Sequence, residues 1–140
     1  MRLISNTHSS FRGLQDDEHG FSNINLVLGN NGDGKTSLLE SIYVSLLGTP
    51  LNSFTRAGRE LSRNNEGLFS SESKAIDHRG NTTIYKFSSN NKGRKHLTDD
   101  TKTTIRDAYL STPVCLIDSS IDKIASESPD YRRKLIDRSA

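Results

Sequence analysis

The stretch Ile24-Asn25-Leu26-Val27-Leu28-Gly29-Asn30-Asn31-Gly32-Asp33-Gly34-Lys35-Thr36-Ser37-Leu38-Leu39 decides the reading of this chain. Residues 24–28 are a short, partly β-branched apolar run that ends on glycine, which predicts a strand. Residues 29–36 match G-x-x-x-x-G-K-[ST], the phosphate-binding P-loop. Chemistry accounts for each fixed position. Gly29, Gly32 and Gly34 let the backbone turn sharply and approach phosphate, and the loop N–H groups form an anion-binding nest. Lys35 places a cation on the β- and γ-phosphates, and the Thr36 hydroxyl is a hard oxygen ligand for Mg²⁺. A helix opening near Lys35 adds its positive N-terminal end. Four fixed positions arise by chance on the order of 10⁻⁵ per start, and the strand-before, helix-after context strengthens the match. The plain alternative is a Gly-rich strand-to-helix turn carrying a surface lysine.

Downstream, Leu38, Leu39, Ile42, Tyr43, Leu46 and Leu47 recur with helical spacing, which predicts one apolar stripe with Ser37, Ser41 and Ser45 off it. Gly48 and Pro50 stop that helix. Upstream, Arg2-Leu3-Ile4 predicts a first strand, Phe11-Arg12-Gly13-Leu14 a turn or second short strand, and Asp16-Asp17-Glu18-His19-Gly20 a charged hairpin loop. Residues 51–73 read as a polar loop with one helical turn. Residues 74–78 and 82–88 read as two strands joined at Arg79-Gly80-Asn81, and residues 94–97 as a third strand after a turn at 90–93. A weak helix over 105–110, a buried strand over 114–117 and a helix opening at Ser128-Pro129 complete the pattern.

Composition limits the alternatives. The chain has 140 residues, 31% of them hydrophobic and 26% charged, with 19 basic against 17 acidic side chains for a net charge of +2. This balance excludes a strongly basic histone-like protein and an acidic tail. No apolar run approaches the ~18 residues needed to span a bilayer, and residues 1–10 lack the apolar core of a signal peptide. The single cysteine, Cys115, forms no internal disulfide; in its apolar run it reads as a buried inert thiol. A cytoplasmic protein fits. The four histidines show no metal-ligand spacing. Asp118, after four apolar residues, is a candidate Walker B carboxylate or the end of a strand leading into a cap. Arg132, Arg133, Lys134 and Arg138, like Arg56, Arg59 and Arg63, read as a solvated face or as contacts to DNA phosphate or a partner subunit.

The run from Asn25 to Tyr43 resembles the RecF family, bacterial recombination-repair ATPases of the SMC-like branch of ABC-type ATPases. Asn31 within the loop and the tail Leu39-Glu40-Ser41-Ile42-Tyr43 are typical of that branch. Phe11-Arg12-Gly13 resembles the Phe-Arg-Asn segment after the family's first strand, and Pro129-Asp130-Tyr131-Arg132-Arg133 resembles its P-x-x-R-R signature. The resemblance implies an α/β P-loop NTPase fold. It is that of the N-terminal half of an ABC-type ATPase head, a mixed sheet with a β-hairpin region and flanking helices. Residues 1–140 would then be a fragment, because the helix from Ser128 is still running at Ala140 and the ABC signature and Walker B Asp-Glu pair belong to the other half.

By that resemblance Gly29, Asn30, Asn31, Gly32, Asp33, Gly34, Lys35, Thr36 and Ser37 hold the triphosphate of ATP, Thr36 the Mg²⁺, and Arg12 sits near the nucleotide. Arg132 and Arg133 are candidate DNA or partner contacts, and no residue inherits the catalytic base. The full-length protein would be an ATPase, and the fragment alone inactive. The implied partners are DNA at single-strand/double-strand junctions or gaps, a second copy of the chain when ATP is bound, and recombination mediator proteins, with no membrane. The implied setting is DNA replication, recombination, repair and the SOS response in a nucleoid-associated cytoplasmic protein. Two departures stand out: the one glutamine, Gln15, precedes the P-loop, so no Q-loop Gln follows it, and Glu127 stands where the family has glycine. Alternative readings are a non-hydrolysing nucleotide-binding fragment, another SMC-like P-loop ATPase, or a self-sufficient kinase or GTPase using Asp118. The alignment with RecF, and the absence of an N-K-x-D run, weigh against the last.

Overall fold

The computed structural model describes residues 1–51, 59–90 and 92–115. Arg56, Asp118, the helix from Ser128 and Arg132, Arg133, Lys134 and Arg138 lie outside the described residues. In chain order the elements are β1 (Arg2–Ser9), β2 (Asp17–Gly20), α1 (Lys35–Leu47), a single 3₁₀ turn (Arg63–Asn65), β3 (Phe69–Ile76), β4 (Thr82–Asn90), β5 (Gly93–Thr98), β6 (Thr101–Lys102) and α2 (Ile105–Ser111). The strands form one sheet in the order β2-β1-β3-β4-β5-β6. Every pairing is antiparallel, so the hairpin character expected for the middle of the chain extends across all six strands. Helix α1 lies across β3 and β4 on one face.

Two apolar clusters fasten the helix to the sheet. Phe11, Val44, Leu61, Phe69 and Phe87 form the first, with Phe11 and Phe69 edge to face at 5.4 Å. Leu46, Leu47, Ala75 and Tyr85 form the second. Between them the interface is polar. Ser41 and Ser45 of α1 are fully buried against Asn6 of β1 and Ser71 and Ser73 of β3. Asn6 Nδ2 faces Ser71 Oγ at 3.1 Å and Ser73 Oγ at 3.0 Å, and Asn6 Oδ1 accepts from Ser41 Oγ at 2.8 Å. Ser71 Oγ donates to the Ser41 carbonyl at 2.7 Å, and the Ser45 and Ser73 hydroxyls lie 2.6 Å apart.

This seam corrects the expected helical stripe. Ser41 and Ser45 are buried while Leu39 is 48% exposed, because small side chains admit a close helix–sheet approach and hydrogen bonding compensates their burial. It also explains why two strands exceed their expected bounds. β1 runs on through Asn6 and His8, and β3 begins at Phe69, inside the expected polar loop. Along β3 the inward positions Phe69, Ser71, Ser73 and Ala75 alternate with outward ones. Residues 17–20 are an edge strand rather than a loop, and its acidic side chains suit an edge that resists further pairing. Cys115 is exposed, not buried. Residues 24–28 pair with no strand of the described residues, and Ile24, Leu26 and Leu28 are 92%, 81% and 79% exposed. Strand preference is realised only where a partner edge is available.

Two buried histidines bolt the frame. His8 Nε2 lies 3.0 Å from the Gln15 carbonyl, and His96 Nε2 lies 2.9 Å from the Ser45 carbonyl. Burial pushes both imidazoles below the ordinary histidine value. Such a group binds its proton more weakly folded than unfolded. Its contribution is therefore full above the ordinary value of about 6.5 and is lost as pH falls through the lowered folded value. Urea unfolding is expected to show stability falling from about pH 7 to about pH 5, with a shallower fall in His96→Gln. At neutral pH, Asn6→Leu removes the hydrogen bonds to Ser41, Ser71 and Ser73 and is expected to cost about 2 to 3 kcal/mol, whereas Thr7→Val on the exposed side of β1 stays within about 0.5 kcal/mol.

Candidate nucleotide-binding site

The P-loop leads directly into α1. Gly34 occupies the N-cap in the left-handed region, with φ +93°, and no side chain caps the helix start. The first helical N–H groups therefore keep their capacity for an external acceptor. A side chain at Gly34 would be strained by its φ and would place Cβ 2.6 Å from Leu14 Cδ2, so glycine is required twice over. Gly32, at φ +95°, supplies the other sharp turn. Two charged side chains close the loop on itself. Lys35 Nζ donates to the Gly29 and Asn30 carbonyls at 2.9 and 2.6 Å. Asp33 Oδ2 accepts the Asn30 N–H at 2.5 Å. Asn31 and Thr36 are exposed, and Ser37 is half-buried.

Opposite the loop stands the turn after β1. Phe11 is fully buried and bridges to Ser62, and the Arg12 N–H donates to the Leu61 carbonyl at 2.8 Å. Arg63 donates to the Leu14 carbonyl and, at 2.7 Å, to Asp16 Oδ1, which also accepts the Ser10 N–H at 2.9 Å. Asp16 Oδ2 accepts from Ser9 Oγ at 2.7 Å. The Ser10 N–H and Ser9 hydroxyl bonds hold the Asp16 carboxyl below the usual carboxylate range. With His8 on the Gln15 carbonyl, three separate anchors fix this wall. Between wall and loop lies an open hollow of about 430 Å³ lined by Gly13, Gln15, Gly32, Asp33, Gly34 and Ser37.

Of the sequence-predicted loop residues the structure brings Gly32, Asp33, Gly34 and Ser37 to the hollow, while Gly29, Asn30, Asn31, Lys35 and Thr36 do not line it. The structure places Arg12 one residue away from the lining: the Arg12 guanidinium meets the Glu40 carboxylate of α1 at 2.5 Å. Burial pushes the Glu40 carboxyl above its ordinary value, and the Arg12 charge opposes that rise. Glu40 is 2% exposed, and only its position within the quoted α1 run hinted at a role. Gly13 and Gln15 were missed as lining residues, because a turn across the hollow carries no periodic signal. Among the described residues no three His, Cys, Asp or Glu side chains could together hold a metal ion. The Thr36 hydroxyl, exposed in the first turn of α1, fits a Mg²⁺ that takes its other ligands from phosphate and water.

An antiparallel sheet carrying a P-loop helix, with the loop facing a pinned turn, is the architecture of the N-terminal half of a P-loop ATPase head. The chain belongs to the AAA domain family, whose model matches residues 8–137. It is 30% identical to the DNA replication and repair protein RecF of Enterococcus faecalis, across 98% of this chain and 36% of that protein. Two solved structures of the recombination mediator protein RecF of the RecFOR pathway share the fold. The form with ATPrS superposes with a TM-score of 0.86 at 22% identity, over 97% of this chain and 37% of that one. The ATP form gives 0.81 at 24%, over 98% and 37%. A chain from work on ATP-driven dimerization and DNA-stimulated activation of SMC ATPases gives 0.74 at 15%, with both chains covered in full. The RecF resemblance read from the sequence agrees with these matches, and the chain spans little more than a third of the length of its RecF relatives.

Gly34→Ala tests the geometry of the loop. It is expected to lower stability by about 1 to 3 kcal/mol through its φ alone, measured by urea unfolding, with Leu14 pushed away from the loop.

Proposed function

We propose that this chain is the ATP-binding portion of a RecF-type ATPase acting in DNA replication and repair. The observation that carries the reading is the P-loop of residues 29–36 on the uncapped start of α1, facing a rigid wall across an open hollow. Gly29 to Ser37 hold the triphosphate, and Thr36 contributes to a Mg²⁺ site. ATP binding brings two heads together on DNA at gaps or junctions, in the company of recombination mediators. Arg132 and Arg133 contact DNA or the partner copy. The exposed Ile24, Leu26 and Leu28 support an incomplete half-head, since an apolar run of this kind is stable as a strand once further chain pairs with it. No described helix is long and apolar enough to cross a membrane, and a cytoplasmic, DNA-associated setting fits the proposal.

A second reading, nucleotide binding without turnover, draws on one feature. The carboxylate lining the hollow is Asp33, and it is hydrogen-bonded into the loop rather than poised over a reacting water. Titration calorimetry with ATP and Mg²⁺ tests both. Lys35→Ala is expected to weaken binding about tenfold to a hundredfold, the equivalent of one or two charge-assisted hydrogen bonds, without changing the circular dichroism spectrum. Unchanged affinity in Lys35→Ala refutes P-loop binding. ATP turnover by this chain alone refutes the second reading.

A further inference from the structure

The P-loop contains an acid where its function calls for an anion from outside. Asp33 Oδ2 accepts the Asn30 N–H at 2.5 Å, a charge-assisted bond to the first amide of the nest after Gly29. The same oxygen would lie 3.0 Å from a Cβ built on Gly29, so the carboxylate sits hard against the loop backbone. No ion pair joins Asp33 to Lys35 among the ion pairs of the described residues. Lys35 is instead turned onto the Gly29 and Asn30 carbonyls. The carboxylate is therefore held by a backbone amide and not by the lysine. Asp33 also lines the hollow and is exposed to solvent.

Resting on the nucleotide-binding reading above, we propose that Asp33 is a resident anion of the phosphate loop that sets its ligand specificity. It takes the Asn30 N–H that a phosphate oxygen would otherwise take. Nucleotide enters by displacing the carboxylate, and bound phosphate then lies beside a like charge. A cation carried in with the triphosphate screens that repulsion, whereas a bare anion meets it in full. The loop thereby favours metal-complexed nucleotide over free phosphate, pyrophosphate and metal-free ATP. Asp33 and Lys35 also close the loop on itself, each bonded to loop backbone.

Titration calorimetry of the wild type, Asp33→Ala and Asp33→Asn tests this, with ATP in EDTA, ATP with Mg²⁺, and inorganic pyrophosphate. Asp33→Ala is expected to bind metal-free ATP and pyrophosphate about tenfold more tightly than wild type, with a smaller gain for Mg²⁺-ATP. Asp33→Asn keeps an acceptor for the Asn30 N–H without the charge, and is expected to gain less than Asp33→Ala. The gain should shrink at high salt. Metal-free ATP bound no more tightly by Asp33→Ala than by a wild type that binds it overturns the proposal. So does weakening confined to Mg²⁺-ATP, which would assign Asp33 to the metal. Absence of ATP binding in wild type and Asp33→Ala alike overturns the nucleotide reading itself, and this inference with it.

Discussion

The hydrogen-bonded seam between α1 and the sheet is the constraint on which the rest of the structure depends. Asn6, Ser41, Ser45, Ser71 and Ser73 bring five polar side chains into full burial where a core would ordinarily be apolar. Each is satisfied by another member of the set or by nearby backbone. A buried polar group without a partner costs more than its hydrogen bond returns, so the seam tolerates little sliding of the helix along the sheet. An apolar interface of the same size would permit more adjustment. The seam therefore fixes both the distance and the register of α1 against β1 and β3.

That register is transmitted to the nucleotide loop. The loop runs directly into the first turn of α1. The Arg12–Glu40 pair, one turn into the helix, ties it to the turn that forms the opposite wall. His8 connects the seam to the same wall, with Nδ1 3.4 Å from Asn6 Oδ1 and Nε2 on the Gln15 carbonyl. Arg63 and Asp16 fix the wall from its other side. The two walls of the hollow are thus positioned by connected contacts.

Much of the site was legible in the sequence because it is local. Eight consecutive residues, Gly29 to Thr36, carry the P-loop motif, and the helix behind them declares itself by its spacing and by Gly48 at its end. The Arg79-Gly80-Asn81 turn, the strands it joins and the short helix α2 were legible for the same reason. The elements misread are those whose state depends on a distant partner. Residues 69–73 look like a polar loop until Ser41 and Ser45 are placed opposite them. Residues 24–28 look like a strand until no edge is found for them among the described residues. Residues 17–20 look like a charged loop until β1 supplies a ladder.

By itself the sequence determined the P-loop motif, the helix that follows it and the family to which the chain belongs, since each is written in contiguous residues whose types and spacing are fixed by local geometry. The tertiary structure alone decided which face of α1 is buried, which turn forms the second wall, and where the Arg12 and Glu40 charges meet. Those outcomes rest on pairings such as Asn6 with Ser71, Ser73 and Ser41. A serine is surface or core according to whether a partner stands across from it, and residue spacing along the chain carries no record of that partner.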